Sequence, residues 1–341
     1  MSTPHKPLRV LMTGGGGFIG SHLSELLLDR GDTVTVVDDF STGRRGNLAT
    51  VRSVPSRIDR YRVIEGTVST VLPSLSPLDF DCVYHLAAAV GVRMVVERPI
   101  HTIETNVHEA SAVLRFCAER TLPVLIASTS EVYGKGVRVP MREDDDVVYG
   151  STAFSRWCYA CSKAIDEYLA LAYHRDFGLP AVIARFFNTV GPRQIGEYGM
   201  VLPRFVAAAI AGRDLEVHGD GMQSRCFCDV RDVVRVLPRL VETPACHGRV
   251  FNIGREEPIT IRALAELVVS TLGSPSAIRM VPYDQAFAAG FDDLLVRQPD
   301  LSRIRAAVGF APEIPLVQTI RDLAVELESR RRNDGTAGGG G

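Results

Sequence analysis

The sequence predicts a doubly wound α/β fold, a parallel sheet with helices on both faces, followed by a smaller C-terminal α/β lobe. Three observations carry this. The short apolar run Arg9-Val-Leu-Met-Thr13 hands over through Gly14-Gly-Gly-Gly-Phe-Ile-Gly20 to a stretch with Leu23, Leu26, Leu27 and Leu28 on helical spacing. Apolar runs then alternate with helical stretches, as in parallel strands joined by crossover helices. After about residue 192 the texture changes to Gly, Pro and Arg punctuation. The expected organisation is a mononucleotide-binding type of domain over 1–192, a second lobe over 193–329 with the chain free to cross between the two, and a disordered tail over 330–341.

Each element has a local reason. Gly31 ends the first helix as a C-terminal glycine does. Thr33-Val-Thr-Val-Val37 gives the next strand, closing at Asp38. The runs at 82–86, 124–127 and 181–184 read as further strands, and the stretches near 104–120 and 160–176 as helices. In the second lobe a helix is predicted over 201–212, a strand over 215–218 and a helix near 260–272. The tail from Arg330 is rich in glycine and poor in apolar residues.

Composition excludes several classes. At 341 residues, 46% hydrophobic and 23% charged, the chain is an ordinary folded protein of roughly two domains. Lys plus Arg at 38 against Asp plus Glu at 40 leaves a net charge of −2, so there is no polybasic signature for nucleic acid or an acidic membrane. Apolar runs such as Phe205 to Ile210 fall far short of the roughly 20 residues that span a bilayer. Met1 to Arg9 lacks the apolar stretch of a secretory signal, so the expected location is cytoplasmic. Seven scattered cysteines suggest reduced thiols, with Cys158 and Cys161 expected as small buried side chains and no metal site.

Two motifs carry chemistry. Gly14, Gly17 and Gly20 stand where the turn must be tight, where backbone must approach a pyrophosphate, and where helix must pack close to sheet. The helix N-terminus then offers free N–H groups to phosphates. Asp38, at the end of the second strand, is placed to accept both ribose hydroxyls and would repel a 2′-phosphate, so NAD is expected over NADP. Further on, Tyr159-Ala-Cys-Ser-Lys163 sets a phenol and an ammonium on one helical face. A fixed cation favours the phenolate, which can take a hydroxyl proton.

With these residues the sequence resembles the extended short-chain dehydrogenase/reductase family, with its Rossmann fold, and within it the nucleoside-diphosphate-sugar epimerases, dehydratases and decarboxylases. The matching stretches are 13–20, Tyr84-His-Leu-Ala-Ala88, Ser128-Thr-Ser-Glu-Val-Tyr-Gly134, Tyr159 to Lys163, Arg185-Phe-Phe-Asn188 and Gly191-Pro-Arg193. Thr67 departs from the pattern, standing where relatives often carry an Asp at the adenine edge. Thr129-Ser130-Glu131 lacks the Asp that dehydratases use for the departing hydroxyl, and Glu131 is surplus to a simple 4-epimerase. The pattern is similar to UDP-glucuronate decarboxylases, as are Arg156-Trp157-Cys-Tyr159 and Arg297-Gln-Pro-Asp300.

The resemblance implies an NAD-dependent decarboxylation of UDP-glucuronic acid through a 4-keto intermediate, to UDP-4-keto-xylose or UDP-xylose. The alternatives are a UDP-sugar 4-epimerase and an NDP-sugar dehydratase. By position, Phe18, Ile19, Leu86, Ala87 and Lys163 join Gly14, Gly17, Gly20 and Asp38 around NAD. Tyr159, Lys163, Thr129, Ser130 and Glu131 serve the reacting sugar, and Arg156, Asn188, Arg204, Arg225 and Arg297 hold the nucleotide sugar. It also implies a homodimer, through the helices near 104–120 and 160–176.

Overall fold

A computed structural model describes residues 5–91, 95, 97–136, 138–196, 200–282 and 296–337. Strands β1 (Arg9–Thr13), β2 (Thr33–Asp38), β3 (Tyr61–Glu65), β4 (Cys82–His85), β5 (Val124–Thr129) and β6 (Ala181–Phe186) pair in parallel in the spatial order β6-β5-β4-β1-β2-β3. The sheet is buried on both sides, and strand alternation divides its apolar residues between two cores. Val10, Met12, Val34, Val36 and Tyr84 face one of them, under α1 (Phe18–Asp29) and α2 (Arg45–Arg52). Leu11, Val37, Val83, Ile126 and Ile183 face the other. That side is covered after the short helices α3 (Pro55–Ile58) and α4 (Val68–Val71) by α5 (Pro99–Ala118) and α6 (Arg156–Phe177), which pack on each other.

The second lobe has its own core. Helix α7 (Val201–Ile210), strand β8 (Leu215–His218), helix α9 (Ile261–Leu272) and helix α11 (Leu316–Ala337) enclose Leu202, Phe205, Leu264, Val268, Ile320 and Leu323. Strand β8 pairs in parallel with β13 (Ile278–Val281). A small three-stranded sheet, β12 (Ile259–Thr260), β9 (Ser224–Arg225) and β14 (Val296–Arg297), faces the cleft between the lobes.

After residue 192 the chain crosses back to the first domain. Strand β10 (Cys228–Asp229) pairs with β7 (Thr189–Val190), α8 (Val230–Glu242) packs on α1, and β11 (Arg249–Ile253) becomes the seventh strand of the large sheet beside β6. Leu301, Ile304 and Val308, from the start and body of α10 (Ser302–Val308), join that same core. The physical reason lies in α8, whose Val230, Val233, Val234, Leu237, Leu240 and Val241 form one apolar face that packs against α1 and against β5 and β6 of the large sheet.

The expected tail also differs: α11 continues to Ala337, and Gly338 to Gly341 lie outside the described residues. Arg330 bonds Glu326 one turn back, which carries the helix into the arginine-rich segment. All seven cysteines are free; five are buried, but Cys158 and Cys161 are half-exposed, because they sit on the outer side of α6 rather than against the sheet.

Candidate active site

A cleft of about 580 Å³ opens at the carboxyl ends of the parallel strands, where the chain leaves β1 and β4 toward opposite sides of the sheet. The turn after β1 forms its floor. Gly14 has φ +75°, and a Cβ there would lie 2.6 Å from the Ala87 backbone nitrogen. A Cβ on Gly20 would lie 2.3 Å from the Gly14 carbonyl oxygen, so α1 begins directly against the turn. Gly17 caps α1 with no side chain, and its first turn carries no acidic residue. Gly14, Gly17, Phe18, Ile19 and Gly20 all line the cleft, faced by Leu86 and Ala87 after β4.

Asp38 stands at the end of β2, and its oxygens accept from the backbone N–H groups of Gly16 at 2.7 Å and Phe40 at 2.8 Å. Burial pushes its carboxyl above the usual range, against those two bonds. The cradle therefore fits a dinucleotide: a glycine floor that any side chain would fill, an open helix N-terminus, and a fixed carboxylate on the cleft wall.

Tyr159 and Lys163 lie one turn apart on the inner face of α6, and both are buried. Thr129 ends β5, and its hydroxyl meets the Tyr159 phenol and also accepts from the Glu131 backbone N–H at 3.2 Å. In the protein alone burial pushes the Tyr159 phenol up from its ordinary value, and the charges of Glu131 and Asp166 add to that. Lys163 Nζ donates to the buried Asp166 at 2.7 Å, so its charge is largely matched within the protein. Beneath them His85, held neutral by burial, exchanges a 2.8 Å hydrogen bond with Thr13.

The opposite wall comes from the second lobe and from β14. Arg297 Nη1 donates to Glu131 Oε1 at 3.4 Å, tying β14 to the turn after β5. Arg297 and Arg225 are direct partners in the parallel β14–β9 register, and both line the cleft. Arg204, whose pKa burial lowers, reaches His218 at 3.3 Å. Asn188 completes this wall, and Ser130 and Arg156 line the cleft from the turn after β5 and the start of α6, Arg156 lying 5.7 Å from the Trp157 ring. Every site residue expected from the sequence thus borders one cavity.

Other residues at the cleft went unread. Glu109 and Thr105 line it from α5 at helical spacing. Asp166, three residues after Lys163, could have been found from that spacing alone. Arg193, at φ +70°, bonds Glu25 of α1 through its side chain at 2.8 Å and Glu326 of α11 through its backbone N–H at 2.5 Å, pinning the two lobes together.

The family model described as NAD dependent epimerase/dehydratase family matches residues 10–254. The chain is 37% identical over 323 residues to the UDP-N-acetyl-alpha-D-glucosaminuronate decarboxylase of Bacillus cytotoxicus, across 92% of this chain and 96% of that one. It is 36% identical over 331 residues to UDP-glucuronic acid decarboxylase 1 of Arabidopsis thaliana, across 96% of this chain and 72% of that one. Its structure is similar to that of DesIV, a dTDP-glucose 4,6-dehydratase from Streptomyces venezuelae with NAD and TYD bound, with a TM-score of 0.80 and 30% identity across 96% of this chain and 98% of that one.

Proposed function

The chain belongs to the NAD dependent epimerase/dehydratase family, and on that premise we propose that it is an NAD-dependent decarboxylase of UDP-glucuronic acid. The observation that carries this reading is Arg297 beside Glu131 in the same cleft as Tyr159. An arginine fork suits a carboxylated sugar, whose two oxygens it matches. Relatives at 36–37% identity over most of the chain carry decarboxylase names.

Gly14, Gly17, Phe18, Ile19, Gly20, Leu86, Ala87 and Lys163 would hold the cofactor, with Asp38 to accept the adenosine ribose hydroxyls. NAD bound in this cradle would supply the hydride acceptor for C4 of the sugar and one further positive charge to the site. Tyr159, as the phenolate that the positive charges of Lys163 and of bound NAD would favour, takes the C4 hydroxyl proton with Thr129 assisting. Oxidation at C4 leaves the C6 carboxylate β to a ketone. Carbon dioxide departs, its bonding electrons pass into the C4–C5 enolate, and the Tyr159 and Thr129 hydroxyls stabilise the oxygen that gains charge. Arg297 and Arg156 orient the carboxylate, and C5 takes a proton from solvent through Glu131, beside Ser130, or a water attached to it. Arg225, Arg204 and Asn188 hold the UDP.

A second reading of the sugar follows from the Bacillus relative, whose name specifies an N-acetylated uronate. The chemistry at C4 to C6 is the same. Incubation with NAD and either UDP-uronate, followed by NMR and mass analysis, tests the proposal. Loss of carbon dioxide with a UDP-4-keto-xylose or UDP-xylose product supports it; a UDP-galacturonate product, or retention of C6, overturns it.

Two finer points belong to the same proposal. A homodimer fits Ile100 and Ile103 of α5 and Ile165 and Tyr168 of α6, large apolar side chains exposed on two neighbouring helices. A reducing, cytoplasmic setting fits seven free thiols. Among the described residues no helix is long and apolar enough to cross a membrane.

A further inference from the structure

We propose that Glu109 reads the adenine base of the dinucleotide by accepting a hydrogen bond from its exocyclic 6-amino group. The inference rests on the NAD reading above. Asp38 marks the adenosine ribose, and the cleft continues past it into an end walled by Thr67 and Val68 after β3, Asn47 of α2 and Glu109 of α5. The other direction leads along the glycine turn to Tyr159, so the base attached to that ribose occupies the Glu109 end.

Glu109 is 8% exposed and still borders the cleft. Its carboxylate is held in place by one residue: Oε2 accepts from the Ser69 backbone N–H at 2.6 Å and Oε1 from the Ser69 hydroxyl at 2.9 Å. Each carboxylate oxygen accepts more than one hydrogen bond, so both keep a lone pair for a further donor. The neighbouring Thr67 hydroxyl is already engaged with that of Thr70 at 2.8 Å. A buried, pre-positioned carboxylate favours a donor over an acceptor. Adenine presents a donor at position 6, whereas a 6-oxopurine presents an acceptor that the carboxylate repels. Glu109 is therefore a selector for the base, separate from the ribose selection at Asp38.

The test is calorimetric titration of nucleotide-free protein with NAD and with nicotinamide hypoxanthine dinucleotide, in which a 6-oxo group replaces the 6-amino group and N1 carries a hydrogen. Wild-type protein is expected to bind NAD about tenfold or more tightly than the analogue, the loss of one hydrogen bond to a charged group. In Glu109→Gln the amide can donate to the 6-oxo group, and the preference should fall to about threefold or less. If Glu109 only pinned Ser69, the substitution would weaken both dinucleotides alike and leave the preference unchanged, which overturns the proposal. Equal affinities in the wild type overturn it without any variant, so a misfolded Glu109→Gln still leaves it decided. Wild-type protein that binds neither dinucleotide overturns the cofactor reading itself, and this inference with it.

Discussion

Along one wall of the cleft, from Gly14 to Ala87, the groups that meet a ligand are backbone atoms and one fixed carboxylate; along the other, from Asn188 to Arg297, they are long side chains, of which Arg225 and Arg297 stand on two-residue strands. The first wall is anchored in a parallel sheet and tolerates no added atom at Gly14 or Gly20. The second is assembled from β9, β12 and β14, a small sheet that sets Arg225 opposite Arg297. A cofactor common to many reactions calls for a rigid backbone cradle. A substrate that distinguishes one reaction from another is read by side chains, which change without disturbing the sheet beneath.

The sharpest way to separate the two walls is at their meeting point. Tyr159→Phe should lower kcat by about a thousandfold or more while NAD affinity, measured by titration, stays within a few-fold. Loss of NAD binding in that variant would mean that the phenol belongs to the cradle. Next in size, Arg297→Met should cost about a hundredfold in kcat/KM for a UDP-uronate and leave NAD affinity intact, since it removes a charged fork from the sugar wall alone. Gly14→Ala is the reciprocal experiment. Forcing a Cβ at positive φ against the Ala87 backbone should destabilise the fold by about 1–3 kcal/mol in denaturant titration and weaken NAD, because here the backbone is the ligand-binding group.

The smallest effect concerns Asp166. Its charge matches Lys163 and helps raise the Tyr159 pKa. Asp166→Asn removes a negative charge that favours the protonated phenol, so the Tyr159 pKa falls and the acid limb of the pH–rate profile moves to lower pH, by on the order of one unit. A limb that stays in place while kcat drops would give Asp166 a purely structural part.

The first wall was almost wholly legible from the sequence because its requirements are local: three glycines, one helix start and one strand end within residues 9–38. Tyr159 and Lys163 were legible for the same reason, sharing one helical face. What was not legible depends on partners distant in the chain. Glu109 reaches Ser69 across 40 residues. Strand β11 and helix α8 were missed because their apolar patterns do not say which sheet or helix they cover; only the exposed edge at β6 and the open side of α1 settle that.

The late arrival of β11 bears on how the protein is made. Five of the seven large-sheet strands have both flanks occupied, and β6 gains its outer neighbour only when residues 249–253 have left the ribosome. Until then a nascent chain carries a bare strand edge and an uncovered apolar side of α1, the surfaces on which unfinished chains stick to one another. A gene fragment ending near residue 192 would preserve the glycine turn, Asp38, Tyr159 and Lys163, yet lack the segments that close the sheet holding them. The dinucleotide cradle is thus not a detachable module: any shuffling of sugar specificity in this architecture has to exchange the segments that carry Arg204, Arg225 and Arg297 and leave the returning strand where it is.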